Sequence, residues 1–150
     1  MDLINKLKSI QIENILQDKD GISSLITIAT DSSVGLAINL FRTYGISQLP
    51  VIDNDGNIVG DIDDKILIKA LSCNIDINLC NVKQIMAPPM PILESTATAY
   101  DAYNYFLENK SSIIVSYEGK PKNILTRIDI LNFFIKNSGD FEYLVFNFDI

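Results

Sequence analysis

The chain contains the same order of predicted elements twice, and this internal repeat restricts its fold more than any other feature. Each copy is predicted to contain a short strand, a helix, two strands joined by a turn, and a second helix. Matching positions are 65 residues apart at Ala37 and Ala102 and 63 residues apart at Gly56 and Gly119, a drift that two single-residue deletions explain. Because neither copy can bury the apolar face of its sheet alone, we expect the two copies to pack against each other.

The first copy shows helical and strand periodicities that alternate along the chain. Its elements are predicted, in order, at residues 25–28, 34–44, 49–52, 58–59 and 63–71. Gly45 follows the first helix as a C-terminal cap, and Asp55-Gly56 is typical of a hairpin turn. Residues 53–58 also resemble part of a calcium loop, but apolar residues stand where its first and last carboxylates belong, so we interpret them as the turn.

The second copy repeats this order, and shorter segments flank both copies. Its elements are predicted at residues 91–93, 97–109, 113–115, 124–125 and 128–135. Before the first copy, the apolar spacing predicts one or two short helices. The domain boundaries that follow are a helical lead-in at 1–24, a first motif at 25–71, a linker at 72–84, a second motif at 85–136 and an aromatic tail at 137–150. We expect the tail to add a strand or to dock on the body or on a partner subunit.

The composition excludes several classes of function. A net charge of −7 without a basic cluster disfavours a nucleic-acid duplex or an anionic membrane as partner. The absence of histidine removes the commonest general base and every Ser-His or Cys-His nucleophile pair. Cys73 and Cys80 match no zinc spacing, and we interpret them as small apolar residues with reduced thiols rather than as a redox switch. We therefore expect a cytoplasmic protein that is not an enzyme, with no metal and no spanning segment.

The octamer at residues 124–131 places two short polar side chains at the start of a helix. An apolar strand leads to Thr126, and Asp129 lies in the first turn of the helix that follows. In one interpretation Thr126 caps the helix and Asp129 lies favourably near the positive end of its dipole. In the other, the hydroxyl and the carboxylate hold the hydroxyls of a ribose while the free backbone N–H groups face an anion. The octamer by itself favours the cap.

Both copies resemble the CBS motif, whose tandem pair forms a Bateman module. The resemblance rests, in the first copy, on residues 31–34 with Ala37, 45–53 and 56–60, and, in the second, on residues 82–86, Ala102, 113–115 and 124–131. Each fragment is unspecific, but the ordered set occurs twice and extends through nearly the whole chain. The end of the second copy, residues 126–133, is similar to the regulatory C-terminus of cystathionine β-synthases.

The resemblance implies an α+β fold of tandem β-α-β-β-α motifs with pseudo-two-fold symmetry, packed sheet to sheet and dimerised as a flat disc. It also implies a non-catalytic sensor that binds AMP, ADP, ATP or S-adenosylmethionine in clefts between the motifs. The family's ribose signature, a Ser or Thr followed three residues later by Asp, falls on Thr126 and Asp129. The strands and walls expected around the adenosine are Pro91, Ile92, Ser112, Ile113, Ile124 and Leu125.

The first copy departs from this signature. Asp63 stands where Thr126 stands, and Ile66 stands where Asp129 stands. Three carboxylates crowd the position, namely Asp61, Asp63 and Asp64. Because like charges repel phosphates, we expect the first cleft to bind no nucleotide, or only a weak non-phosphorylated one.

The class of adenosyl ligand and the biological role both stay open. Arg127 beside the helix N-terminus favours a phosphate, unless it is a solvated surface charge, whereas the acidic surface favours the cationic sulfonium of S-adenosylmethionine. The leading hypothesis is a homodimeric regulatory sensor that binds its ligand mainly in the second-motif cleft. It would act on an effector protein in trans or on another part of the same gene product. The alternative is a structural dimerisation module with vestigial clefts.

Overall fold

The computed structural model describes residues 2–17 and 25–137. Residue 1, residues 18–24 of the predicted lead-in and residues 138–150 of the predicted aromatic tail lie outside this part of the chain. In chain order the elements are α1 (Leu3–Lys8), α2 (Ile12–Gln17), β1 (Ile28–Ala29), α3 (Val34–Tyr44), β2 (Gln48–Ile52), β3 (Ile58–Asp63), α4 (Asp64–Ser72), a 3-10 helix (Val82–Gln84), β4 (Ile92–Glu94), α5 (Ala99–Leu107), β5 (Ser112–Tyr117), β6 (Lys120–Thr126) and α6 (Arg127–Asn137).

The repeated order of elements and the α+β class are confirmed. The chain divides into a first unit, residues 26–90, and a second unit formed by the described residues up to 25 together with 91–137. Each unit contains one three-stranded sheet, with strand orders β1-β2-β3 and β4-β5-β6. In both sheets the central strand is parallel to the first strand and antiparallel to the third. None of the helices in the described ranges is long and apolar enough to cross a membrane.

The ends of the elements depend on local caps and on distant hydrogen bonds. The helix predicted at 97–109 is the shorter α5, because the Thr98 side chain accepts a hydrogen bond from the Asp101 backbone N–H and fixes the first turn. The strand predicted at 25–28 is reduced to β1, and Leu25 instead donates its backbone N–H to the Lys122 carbonyl oxygen at 3.0 Å. The shorter α5 follows from a contact between neighbouring residues. The shorter β1 depends on a contact between segments that are distant in the sequence.

The first unit is completed by the chain that follows α4. Its core consists of Ile28, Val34, Ala37, Leu49, Val51, Ile62, Leu67 and Val82. Val82 belongs to the segment predicted as a linker, and its backbone N–H donates to the Ser32 carbonyl oxygen at 2.9 Å. Ala87 forms a two-way backbone bridge with Asp61, with N–O distances of 2.9 and 3.0 Å. Residues 82–87 are therefore an integral part of the first unit.

The second unit is completed by the two N-terminal helices in the same way. Its core consists of Leu7, Ile12, Ile15, Leu16, Ala99, Ala102, Ile113, Val115 and Leu125. Ile12 donates its backbone N–H to the Ala97 carbonyl oxygen, and Ala99 donates to Ile10, both at 2.8 Å. Each sheet and its helices are thus closed by the residues that precede the other motif in the sequence, which a reading of either copy alone does not predict.

Candidate functional site

The junction between β6 and α6 forms a reciprocal capping box. The Thr126 backbone N–H donates to Asp129 Oδ2 at 2.8 Å, and the Asp129 backbone N–H donates to Thr126 Oγ1 at 3.3 Å. Thr126 ends the strand, and Asp129 is the third residue of the helix, which is the spacing that this motif requires. The cap interpretation of the octamer is therefore confirmed.

The Asp129 carboxylate has more acceptor sites than the capping box uses. Its side chain is buried, with 9% of the residue exposed, at the positive end of the α6 dipole. An ionised carboxylate has two oxygens with about four lone-pair sites, and the bond from Thr126 uses one of them. The same group can therefore cap the helix and accept hydrogen bonds from a hydroxyl-bearing ligand.

A continuous sheet face leads up to this box. Ser112 lies opposite Thr126, and Ile114 lies opposite Ile124 on the antiparallel β5–β6 pair. Ile92 on β4 is in register with Ile114 on the other side. Because cross-strand partners point to the same side of a sheet, these five residues share one face, which we call the Thr126 face.

The predicted wall residues separate between the two faces of the sheet. Ile113 and Leu125 are fully buried in the core on the opposite face, so only their backbone groups could meet a ligand. On the Thr126 face, Ser112 is buried and Ile92 is 45% exposed. Pro91 precedes β4, and its carbonyl oxygen accepts from the Ile114 backbone N–H at 2.9 Å. The structure thus brings four of the six predicted wall positions together and turns two side chains away.

Ile114 is a member of the Thr126 face that the sequence analysis did not include in the site. It lies between Ile92 and Ile124 in the sheet register and is fully buried. Alternation along β5 supplies the missing signal, since Ser112 and Ile114 must point to the same side once Ile113 is assigned to the core. Its buried side chain lies between Ile92 and Ile124 and supports the apolar part of the Thr126 face.

Arg127 is the first residue of α6 and is exposed. Its Nε donates to the Lys110 carbonyl oxygen at 3.3 Å, which orients the guanidinium beside the helix N-terminus. A guanidinium has five N–H donors, so this bond leaves others that can reach a ligand. The position supplies the only side-chain cation in the α6 first turn.

The corresponding junction in the first unit has different chemistry. Asp63 caps α4 by accepting from the Ile66 backbone N–H at 2.8 Å, but Ile66 has no carboxylate with which to return the bond. Two residues earlier, Asp61 is only 7% exposed, and its burial together with the nearby charge of Asp63 raises the pKa of the Asp61 carboxyl to about 7. At this junction the structure therefore contains acidic and apolar residues in place of the ribose signature.

No other cluster with recognisable site chemistry emerges from the described ranges. Within them, no group of three or more His, Cys, Asp or Glu side chains could hold a metal ion. Both cysteines are free thiols, Cys73 exposed and Cys80 half-buried. The two helix-capping junctions therefore remain the candidate sites.

Two capped strand-helix junctions, each on a three-stranded sheet with the same strand order, define a tandem α+β module. A protein-family model described as "CBS domain" matches residues 21–73 and again residues 82–136. The chain belongs to the CBS-domain family. Pairs of such domains are typically regulatory or sensor modules.

Curated relatives include proteins named as enzymes. The chain is 28% identical over 118 residues to a cystathionine beta-synthase from Dictyostelium discoideum, covering 75% of this chain and 23% of that protein. It is 33% identical over 116 residues to an inosine-5'-monophosphate dehydrogenase from Methanocaldococcus jannaschii, covering 76% and 22%. The chain therefore spans less than a quarter of the length of these two relatives.

Solved structures of CBS-domain proteins share the fold. A putative signal-transduction protein with CBS domains from Burkholderia ambifaria superposes with a TM-score of 0.73 at 21% identity, covering 85% of this chain and 96% of the other. The CBS domain of a bacterial CNNM/CorC family Mg²⁺ transporter gives a TM-score of 0.69 at 20% identity, covering 86% and 77%. At these identities the likeness establishes the fold alone.

Proposed function

We propose that this chain is a non-catalytic sensor module that binds an adenosine derivative at the β6–α6 junction. The observation that carries the proposal is the reciprocal Thr126–Asp129 pair, which holds a buried carboxylate at the end of a mostly apolar sheet face. Asp129 would accept hydrogen bonds from both ribose hydroxyls, which are strong because the acceptor is charged. Thr126 would add a contact through its hydroxyl.

The adenine would lie along the Thr126 face. Ile92 and Ile124 offer apolar surface beside the buried Ile114, and backbone groups near Pro91 and Ser112 would read the edge of the ring. Pockets for small ligands commonly combine a largely apolar lining with a few placed polar groups, as this face does. The tail of the ligand would lie near Arg127, which favours AMP, ADP or ATP. The net charge of −7 favours S-adenosylmethionine instead.

The lengths of the matched relatives support a regulatory role. Two relatives named as enzymes extend far beyond the segment that this chain matches, so in them a CBS-like part accompanies a much larger remainder. We infer that this chain likewise regulates an effector. The effector would be another protein or another part of a longer gene product. A homodimer in the cytoplasm is the assembly that we propose for it.

A second candidate function is a structural dimerisation module without a ligand. The observation that favours it is the first unit, where Ile66 replaces the ribose carboxylate and Asp63 makes a one-way cap. If the second site were equally inactive, the chain would serve only to join subunits. The two functions differ in whether any adenosyl ligand saturates the protein.

The test is isothermal calorimetry and thermal unfolding with AMP, ATP and S-adenosylmethionine. Sensor function predicts saturation by at least one ligand at one equivalent per chain, and a ligand at 100 times its dissociation constant stabilises the fold by about 2.7 kcal/mol. Failure of all three to bind would support the structural module. Two ribonucleotides per chain would contradict the assignment of the first site as inactive.

The chain offers a matched control for the site itself. Thr98 and Asp101 form the same capping box at α5, with N–O distances of 3.0 and 3.2 Å. Asp129→Ala and Asp101→Ala should therefore both lose capping stability, whereas only Asp129→Ala should lose the ligand-induced thermal shift. Equal loss of the shift in both variants would mean that the effect is structural.

A further inference from the structure

We propose that the end of β3 in the first unit binds an organic cation, a small molecule with a primary ammonium group, through the carboxylates of Asp61 and Asp63. This site lies in the other motif from the proposed adenosine site and selects the opposite charge. It would give the module a second ligand of a different chemical class. The proposal does not depend on adenosine binding.

Asp61 is a buried carboxylate with an unsatisfied oxygen. Its side chain is 7% exposed, and within the described part of the chain Asp61 Oδ1 has no hydrogen-bond partner. Backbone N–H groups of Leu49 and Ile62 act on the carboxyl, but they leave this oxygen unsatisfied. Buried polar groups in proteins are nearly always paired, because an unpaired one keeps the cost of leaving water. A ligand that donates to Oδ1 removes that cost.

Asp63 makes the site a pair. Asp61 and Asp63 are two residues apart on the same strand, so their side chains point to the same side of the sheet. Asp63 uses Oδ1 to cap the Ile66 backbone N–H, and its carboxylate has a second oxygen. The charge of Asp63 is near enough to add to burial in raising the pKa of the Asp61 carboxyl. An ammonium group between them would be attracted by both carboxylates.

The described part of the chain supplies no ion-pair partner for the two carboxylates. Within the described residues, no lysine or arginine is ion-paired with Asp61 or Asp63. The α4 N-terminus, which could attract an anion, already faces the carboxylates of Asp63 and Asp64. Anionic ligands are therefore repelled here, and positively charged ligands are attracted.

The number of protein ligands at the site favours an organic cation over a metal ion. No cluster of three or more potential protein ligands exists in the described chain, and Asp61 and Asp63 provide only two carboxylates. Metal ions in proteins generally require more ligands than this or retain several waters. An ammonium group carries three N–H donors and is satisfied by two carboxylates and one further acceptor.

The equivalent positions in the second unit rule out a general structural requirement for these acids. Thr126 occupies the position of Asp63, and Ile124 occupies the position of Asp61 in the same strand register. Both are uncharged, and the second sheet forms the same three-stranded arrangement without them. The acidic pair is thus an addition to the fold rather than part of it.

The experiment is calorimetric titration of the full chain with putrescine at pH 8 and constant ionic strength. Titration at pH 8 keeps Asp61 ionised, since its pKa is raised to about 7. Asp61→Asn should weaken binding about tenfold or more, because it removes one charged acceptor. Asp64→Asn changes an exposed neighbour and should weaken binding far less than Asp61→Asn does, and Asp129→Ala should bind putrescine like the wild type.

Three outcomes would overturn the proposal. One is no saturable putrescine binding, and another is equal binding by the wild type and Asp61→Asn. The third is Asp61-dependent binding of magnesium chloride that putrescine does not match, which would assign the site to a metal. Circular dichroism and thermal melts of Asp61→Asn verify folding, so that a loss of binding reports on the site.

Discussion

The Thr126 backbone N–H lies 2.8 Å from Asp129 Oδ2, and the Asp129 backbone N–H lies 3.3 Å from Thr126 Oγ1. The two residues proposed to hold a ribose therefore already hold each other. This relationship preorganises the carboxylate, because its position is fixed before any ligand arrives. It also means that substitutions at the site change stability as well as binding, and each experiment must separate the two effects.

Thr126→Val should lower stability, whereas Thr126→Ser should not. Valine has nearly the same shape but no oxygen, so the Asp129 backbone N–H loses its acceptor, at a cost of about 1 kcal/mol. Serine keeps the hydroxyl and the capping box. Urea unfolding of the ligand-free protein measures the difference. If both variants unfold at the wild-type midpoint, the capping box contributes nothing to stability.

Sequence reasoning recovered those parts of the fold that neighbouring residues determine. Gly45, Gly56 and Gly119 have positive φ angles of 61°, 82° and 79°, as expected for a helix C-cap and two hairpin turns. The Thr126 and Asp129 pair was also recognisable, because a cap depends on a spacing of three residues. Turns and helix caps depend on residues a few positions apart, so they can be predicted without knowledge of the tertiary fold.

Contacts between distant segments were not predictable in the same way. The bonds from Ile12 to Ala97 and from Val82 to Ser32 join residues whose local sequence gives no sign of their partner. The burial of Asp61 was missed as well, because charged residues are almost never buried without a partner. Such features depend on which surface the fold places beside a residue.

Arg127→Gln distinguishes the two ligand classes proposed for the second unit. Arg127 is exposed beside the α6 N-terminus and donates from Nε to the Lys110 carbonyl oxygen. If the ligand is AMP, ADP or ATP, losing this charge should weaken binding by about 1.5–3 kcal/mol, the usual value for a charged hydrogen bond. If the ligand is S-adenosylmethionine, binding should be unchanged or slightly stronger, since an acidic chain attracts a sulfonium. Calorimetry with each ligand measures this effect.

Lys110→Gln is the control for that experiment. It removes a neighbouring positive charge but retains the backbone carbonyl that orients Arg127. Equal losses of nucleotide affinity in both variants would indicate a general electrostatic effect of net charge. A loss confined to Arg127→Gln would indicate a direct contact with phosphate.

Gly60→Ala should destabilise the first unit. A Cβ at Gly60 would lie 2.8 Å from Met86 Cγ and 3.1 Å from the Ala87 carbonyl oxygen, which accepts from the Asp61 backbone N–H. Overpacking of this kind costs about 1–3 kcal/mol, and here it would also push residues 86–87 off the sheet edge. Unfolding in urea and amide exchange at Ala87 measure both effects.

A double-mutant cycle isolates the steric clash between a Cβ at residue 60 and the Met86 side chain. Met86→Ala removes the two side-chain atoms that a Cβ at Gly60 would meet first. In the Met86→Ala background, Gly60→Ala should lower the free energy of unfolding clearly less than it does in the wild type. Equal costs in both backgrounds would show that the glycine is required for another reason.

Asp61 should make the stability of the protein fall as pH rises from about 4 to about 7. Burial, and then the charge of Asp63, raise the pKa of Asp61 from 3.8 to about 7. Between these values the folded state binds more protons than the unfolded state, so the free energy of unfolding decreases with pH and becomes level above 7. The full effect is of the order of 4 kcal/mol, since each pKa unit corresponds to about 1.4 kcal/mol.

Asp61→Asn removes this dependence and should be more stable than the wild type at pH 8, with a smaller or reversed difference at pH 4. The neighbours across the strand and at the backbone bridge, Pro50 and Ala87, carry no charge, so Asp63 is the group that can alter the outcome. Urea unfolding at pH 4, 6 and 8, without amines, measures the free energies. Asp64→Asn should keep the wild-type slope, because Asp64 is exposed. A wild-type slope in Asp61→Asn would show that Asp61 is ionised normally in the folded protein.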